Sequence, residues 1–395
     1  MNEATADFIR VHADDNIRQL ALKGTKDPDI DLPFALDQIA GRQTARRKLP
    51  TWAATDGIFF PPHLSMEQCS SEQTARYKAR LAGSGRRMVD LTGGFGVDFS
   101  FMAPGFEEAV YVERQPVLCE IARHNFQVLG VHADVVNSDS VEFLQKMTHA
   151  DLIYIDPARR DRQGQRTYDI SDCTPDVLAL RDVLMEKADR IIIKLSPMLD
   201  WRKAVNDLGE AYVNEVHIVS VQNECKELLL VLGACLSDGA KSQLFCVNDD
   251  MVFTVTTSSL TSPLTSSLLH LPSQFLYEPN ASIMKAGCFE AIADAFNINQ
   301  LAPNSHLFVS DRFINDFPGR SFVIDNMTTM NKRELRAALA DITQANITVR
   351  NFPLSVAQLR NRLKLSEGGS NYIFATTLAA KRHVLLLCHK TAPSV

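Results

Sequence analysis

The sequence predicts an α/β protein in which a central sheet is preceded by a helical region and followed by a second α/β domain. Three observations carry this reading. A glycine turn between Met88 and Asp98 joins an apolar strand to the start of a helix. Further apolar strands follow, with acidic residues at their ends. The stretches between them place apolar residues at helical spacing.

Residues 1–82 read as helical. Ala4–Leu22 carries Phe8, Ile9, Val11, Ile17, Leu20 and Leu22 in an amphipathic pattern, and Phe34–Arg47 is a second helix with Arg46, Arg47 and Lys48 in its last turn, where cations suit the dipole. Pro50 is expected to end it, and Thr51–Pro62 reads as an aromatic loop. A third helix, Glu72–Leu81, takes Ser70 or Ser71 as its cap.

Met88-Val-Asp-Leu-Thr-Gly-Gly-Phe-Gly-Val-Asp98 then supplies a buried strand, a turn with Gly93, Gly94 and Gly96, and a helix start. Glycines let a backbone turn sharply and approach a ligand with no Cβ in the way. A phosphate-cradling loop would need a Gly-Lys-Ser or Gly-Lys-Thr ending, which is missing, and a dinucleotide turn wants a third glycine where Phe99 stands. An acid, Asp90, before Gly-x-Gly suits S-adenosylmethionine better, since that ligand is cationic and has no pyrophosphate. Ala109–Val112 is a second strand ending in Glu113, placed to accept ribose hydroxyls. Val117–Leu129 is a helix with Leu118, Ile121, Ala122, Phe126 and Leu129 on one face. Val135–Val136 leads to Asp139 and Ser140, and Asp151–Asp156 is a buried strand ending in Asp156-Pro157-Ala158-Arg159.

The ordered set Asp90, Glu113, Asp139, Asp156 resembles the class I S-adenosylmethionine-dependent methyltransferases over Gln68 to about Gly233. The resemblance implies a Rossmann-like seven-stranded sheet whose last strand is antiparallel and inserted between its neighbours. It implies S-adenosyl-L-methionine as cofactor, held by Asp90, Thr92, Gly93, Gly94 and Gly96 at the methionine end, by Glu113 at the ribose, and by Asp139 and Ser140 at adenine. In related enzymes the segment before the first strand folds over the cofactor, which makes Gln68, Ser70 and Thr74 further candidates. Asp156-Pro157-Ala158-Arg159 is similar to the Asp/Asn-Pro-Pro-x motifs of amino-group methyltransferases, which implies Asp156 as the orienter of the acceptor amine and Pro157 as the donor of a carbonyl acceptor. The family's usual stacking aromatic is replaced by Arg159, so Tyr168 or the Arg159 guanidinium would stack on a base. Arg159, Arg160, Arg162 and Arg166 beside this motif suit phosphate contact, or form a solvated loop neutralised by Asp161 and Asp169.

The rest of the module reads as a helix Thr174–Lys187, a strand Arg190–Leu195, a helix Trp201–Leu208, and a final strand pair Val213–Val221 and Leu228–Leu232 joined by Gln222–Glu227. Lys194, Glu224 and Lys226 could line the site. Cys225 is the one cysteine placed for a nucleophile, although a buried free thiol fits it as well. Beyond it lie a hairpin (Leu244–Val247 and Met251–Thr256), a Ser/Thr-rich linker (Thr256–Ser267) and an alternating α and β tail. The tail resembles the THUMP-like domains appended to some RNA-modifying methyltransferases, though those usually precede the catalytic module. The expected domains are 1–82, 83–235 and 236–395, with 236–272 as a possible separate hairpin linker.

Charge is unevenly spread. Ala281–Val395 carries 13 Lys+Arg against 8 Asp+Glu, a balance of +5, and Met1–Asn280 carries 28 against 39, a balance of −11. A basic tail on an acidic body suggests a polyanion, and RNA is the expected partner. The eight scattered cysteines, with no Cys-x-x-Cys pair, predict reduced thiols, a cytoplasmic setting and no metal site. No apolar run is long enough to predict a membrane span. The substrate reading is methylation of an exocyclic amino nitrogen of a base in tRNA or rRNA. Two others stay open: a protein or small-molecule acceptor, and a non-catalytic cofactor- or RNA-binding protein.

Overall fold

The computed structural model describes residues 1–159, 169–237, 239–257, 275–302, 304–378 and 381–391. These form two compact units, 1–216 with 226–240, and 217–225 with 241–395.

The first unit holds most of the sheet that carries the site, and residues 217–221 and 224–225 of its strands fall to the second unit. Seven of its strands are β1 (Gly85–Asp90), β2 (Phe106–Glu113), β3 (Asp134–Asn137), β4 (Ala150–Ile155), β5 (Ala188–Leu195), β6 (Val213–Val221) and β7 (Glu224–Leu232). They lie consecutively in the order β6-β7-β5-β4-β1-β2-β3, within a sheet that has nine strands among the described residues rather than the seven expected. Pairing from β5 to β3 is parallel, and β7 runs antiparallel to β5, inserted before β6 as expected. Parallel strands buried on both faces need continuous apolar runs. Leu152–Ile155 and Ile191–Ile193 supply them, with every residue at most 1 % exposed. Order reverses between β1 and β4, and in open α/β sheets ligands bind at such a switch point, outside the carboxyl ends of the strands.

The N-terminal region differs in detail from the sequence reading. Ala4–Leu22 is broken into Glu3–Val11 and Ile17–Lys23, with Asn16 capping the second helix. The helix read over Phe34–Arg47 ends at Lys48, ahead of Pro50 as expected, but Pro50 then opens a short helix, Pro50–Ala54, where a loop was expected, because a proline suits the first helical position. The helices pack an apolar cluster, Trp52, Ile58, Phe60 and Met66, on Phe95 and Val97 of the glycine turn. Gln38 holds Phe60 and Asn125 holds Phe59, each through its amide in two hydrogen bonds of 2.8 Å. The helix expected to begin at Thr174 starts at Val177, because Asp176 is its cap.

In the second unit, Gln243–Asn248 and Met251–Thr256 form the expected hairpin. A seven-stranded sheet follows in the order 299–300, 308–310, 275–279, 319–329, 383–390, 371–377, 346–350. Only its last pair is parallel. Glu278, almost fully buried, is met by Arg320 from the adjacent strand and by Arg350.

Candidate active site

The glycine turn is built against β2. Gly93 N–H donates to the Val112 carbonyl at 2.9 Å, and a Cβ on Gly93 would lie 2.1 Å from the Tyr111 ring. Gly94 and Gly96 have φ of 56° and 82°, left-handed values that favour glycine. The Tyr111 hydroxyl donates to the Gly94 carbonyl. The turn therefore leaves its own backbone as the surface that faces a ligand.

Four acids stand at the strand ends. Asp90 is 1 % exposed and accepts the Thr92 N–H at 2.9 Å. Burial, aided by the neighbouring charges of Asp98, Asp156 and Glu113, pushes its carboxyl well above the usual range. Glu113 accepts the Gly94 N–H on one oxygen and the Gln115 N–H on the other, both at 2.9 Å. A carboxylate offers about four lone-pair sites, so each oxygen keeps one for a hydroxyl. Asp139 caps the helix Ser140–Lys146 through a single oxygen, Oδ1, which accepts from Val141 and Glu142. Ser140 is the first residue of that helix. This acceptor set fits an adenosine-type ligand: a two-oxygen acceptor for a diol at Glu113 and a second acceptor one strand away at Asp139.

Asp156 is tied to the same turn, its N–H donating to the Thr92 hydroxyl at 2.7 Å. Its side chain is 38 % exposed, whereas Pro157 is buried. Lys194 on β5 holds its Oδ2 at 2.5 Å. Ala158–Arg159 pairs with Cys173–Thr174 as a short antiparallel strand. Arg160, Arg162 and Tyr168 lie outside the described residues, as does Arg166.

Behind Asp156 lies a buried charge cluster that was not legible as such in the sequence. Lys194 also reaches Asp98 Oδ2, at 3.7 Å. Asp98 accepts the Ser70 and Tyr154 hydroxyls, each at 2.8 Å, and has Lys78 Nζ 3.1 Å from its other oxygen. Lys78, fully buried, pairs with Glu227 at 2.6 Å and donates to Ser70 at 3.0 Å. Burial works against the charge of Asp98, but Lys78 and Lys194 outweigh it and hold the carboxyl below its usual range. Burial likewise opposes the Lys194 charge, and Asp156, Asp98 and Glu227 override it, so the ammonium sits above the ordinary lysine range. At Glu227 burial wins and the carboxyl is raised.

Of the candidates before β1, Ser70 enters this cluster. Thr74 hydrogen-bonds its own helix cap at Ser71, and Gln68 is exposed. Cys225 lies in the second unit's segment 217–225. Among the described residues no group of three or more His, Cys, Asp or Glu could hold a metal, and no helix is long and apolar enough to cross a membrane.

Residues 275–318 match a family described as a ferredoxin-like domain, and residues 319–390 one described as THUMP domain-like. A crystal structure of a candidate methyltransferase from Porphyromonas gingivalis W83 is similar over 98 % of both chains, at 31 % identity and a TM-score of 0.87. An uncharacterized S-adenosylmethionine-dependent methyltransferase of Mycobacterium tuberculosis (strain H37Rv) is 24 % identical over 304 residues, covering 76 % of this chain and 80 % of that protein.

Proposed function

The chain belongs to the class I S-adenosylmethionine-dependent methyltransferases that carry a C-terminal THUMP-like domain, and we propose that it methylates an exocyclic amino nitrogen of a base in tRNA or rRNA. The observation that carries this is Asp156: an acid left partly exposed at the end of β4, fastened to the glycine turn through Thr92, with a proline directly after it.

In this reading Glu113 accepts the two ribose hydroxyls on its remaining lone pairs. Asp139 offers adenine the oxygen its helix cap does not use. The cofactor supplies an electrophilic methyl group on a sulfonium sulfur. Asp156 Oδ1 and the Pro157 carbonyl accept the two N–H groups of the acceptor amine, which turns the nitrogen lone pair toward the methyl and makes the attack in-line. Asp156 is also the nearest group to take the proton that the methylated nitrogen sheds. The arginines from Arg159 onward contact phosphate, and the basic THUMP-like region presents the RNA. We read 1–82 as a helical region, 83–235 as the catalytic domain and 236–395 as the RNA-presenting domain.

The test incubates the protein with methyl-labelled S-adenosylmethionine and total RNA from a strain lacking it, with Asp156→Ala alongside. RNase-sensitive label absent from the variant is the expected result, and RNA affinity should fall steeply with salt, as phosphate contacts release counterions. Cofactor binding without label in RNA would move the acceptor to a protein or small molecule, the reading that the chain's overall acidity favours.

A further inference from the structure

We propose that Lys194 is a positioning residue for Asp156, and that Lys78, from the helix before β1, is what frees Lys194 for that role. The inference rests on Asp156 as the group that receives the acceptor.

The geometry sets up a competition. Lys194 has two carboxylates in reach, Asp156 at 2.5 Å and Asp98 at 3.7 Å. Left alone, an ammonium here would be drawn to the buried Asp98, since attraction is stronger where the surroundings are less polarisable. Lys78 removes that pull. It stands 3.1 Å from Asp98 and 2.6 Å from Glu227, and the Ser70 and Tyr154 hydroxyls both donate to the Asp98 oxygen that faces Lys194. Asp98 is thereby satisfied from one side, and Lys194 closes on Asp156 instead. One oxygen of Asp156 is then committed to Lys194, which fixes the direction in which the other points. A carboxylate free to rotate would offer the acceptor amine two equivalent oxygens and no preferred direction. Because Lys78 and Ser70 belong to the region before β1, that region is part of the site rather than a cover for it.

The test uses the full chain and follows the rate at which acetic anhydride modifies the Lys194 amine, read by mass spectrometry at fixed pH. Only the unprotonated amine reacts, so each unit by which the lysine pKa falls raises the rate about tenfold. Asp156→Asn should speed Lys194 modification by about tenfold or more. In the K78M/E227Q background, which removes one charge of each sign and so spares the fold a lone buried ion, Asp156→Asn should change it little, because Lys194 has turned to Asp98. Methyl transfer is the second readout: Lys194→Met should lower the transfer rate to RNA by about 10²-fold with S-adenosylmethionine affinity unchanged, and Lys194→Arg should recover part of it. An Asp156→Asn chain whose Lys194 reacts at the wild-type rate overturns the pairing, and an equal effect in both backgrounds overturns the role of Lys78. Lys194→Met that transfers methyl at the wild-type rate overturns the positioning role. If wild-type protein labels no RNA, the proposed acceptor fails on its own, while the modification rates still decide the inference.

Discussion

On the β2 and β3 side of the glycine turn, carboxylates are held by backbone N–H groups: Glu113 by Gly94 and Gln115, Asp139 by Val141 and Glu142. On the β4 and β5 side they are held by lysines, Asp156 by Lys194 and Asp98 by Lys78. The difference is one of reserve. A backbone amide takes one lone pair and adds no mobile charge, so Glu113 stays an acceptor with capacity left. An ammonium supplies a full charge whose own burial must be offset, so the lysine side is a closed network in which each member needs the others.

The contrast can be broken in order of expected effect. Lys78→Met leaves Glu227 buried without its close cation and Asp98 with Lys194 alone, and removing one partner of a buried pair costs about 3–5 kcal/mol, to be read from urea unfolding. Acid should expose the same dependence. Asp98 is held below its ordinary range, so its contribution is present above the ordinary carboxylate value and lost as pH falls through its lower folded value. Without Lys78 that folded value rises, and acid unfolding should move to higher pH. On the other side, Glu113→Gln turns an amide NH2 onto one of the two backbone N–H groups and should cost about 1–3 kcal/mol of stability, less than at Lys78, and weaken S-adenosylmethionine binding by about 10- to 100-fold, as charged hydrogen bonds are worth about 1.5–3 kcal/mol; calorimetry reads both. A loss of stability there as large as at Lys78 would erase the distinction. Gly93→Ala pushes a Cβ into the Tyr111 ring and should cost about 1–3 kcal/mol in overpacking, seen as a lower urea midpoint. Asp139→Ala is the mildest, removing a helix cap worth about 1 kcal/mol, seen as a small fall in Tm.

Much of the site was readable because its signals are local. A glycine turn, an acid after a strand and an Asp-Pro step each declare themselves within a few residues. Asp98 and Tyr154 lie inside the motifs singled out, yet in a linear reading they look like a helix start and a strand aromatic. Glu227 had one signal, a carboxylate directly before the apolar run Leu228–Leu232, which hints at a buried charge without naming its partner. Lys78 had none: it reads as one more cation on an amphipathic helix, Glu72–Ala82. The break at His12–Asn16 and the helix starting at Pro50 were misread because each turns on one residue at a helix start, Asn16 as a cap and Pro50 at the first helical position, rather than on period.

By itself the sequence determined the strand–turn–helix order, the acids at the strand ends and the uneven charge of body and tail. These follow from period and from residues whose conformational limits hold anywhere. Tertiary structure alone decided which charges meet. Lys78 and Glu227 are separated by 149 positions and end 2.6 Å apart, because the helix before β1 packs where β7 inserts. No local pattern encodes such a pair, since an ion pair constrains only where two side chains finish and places no demand on the chain between them.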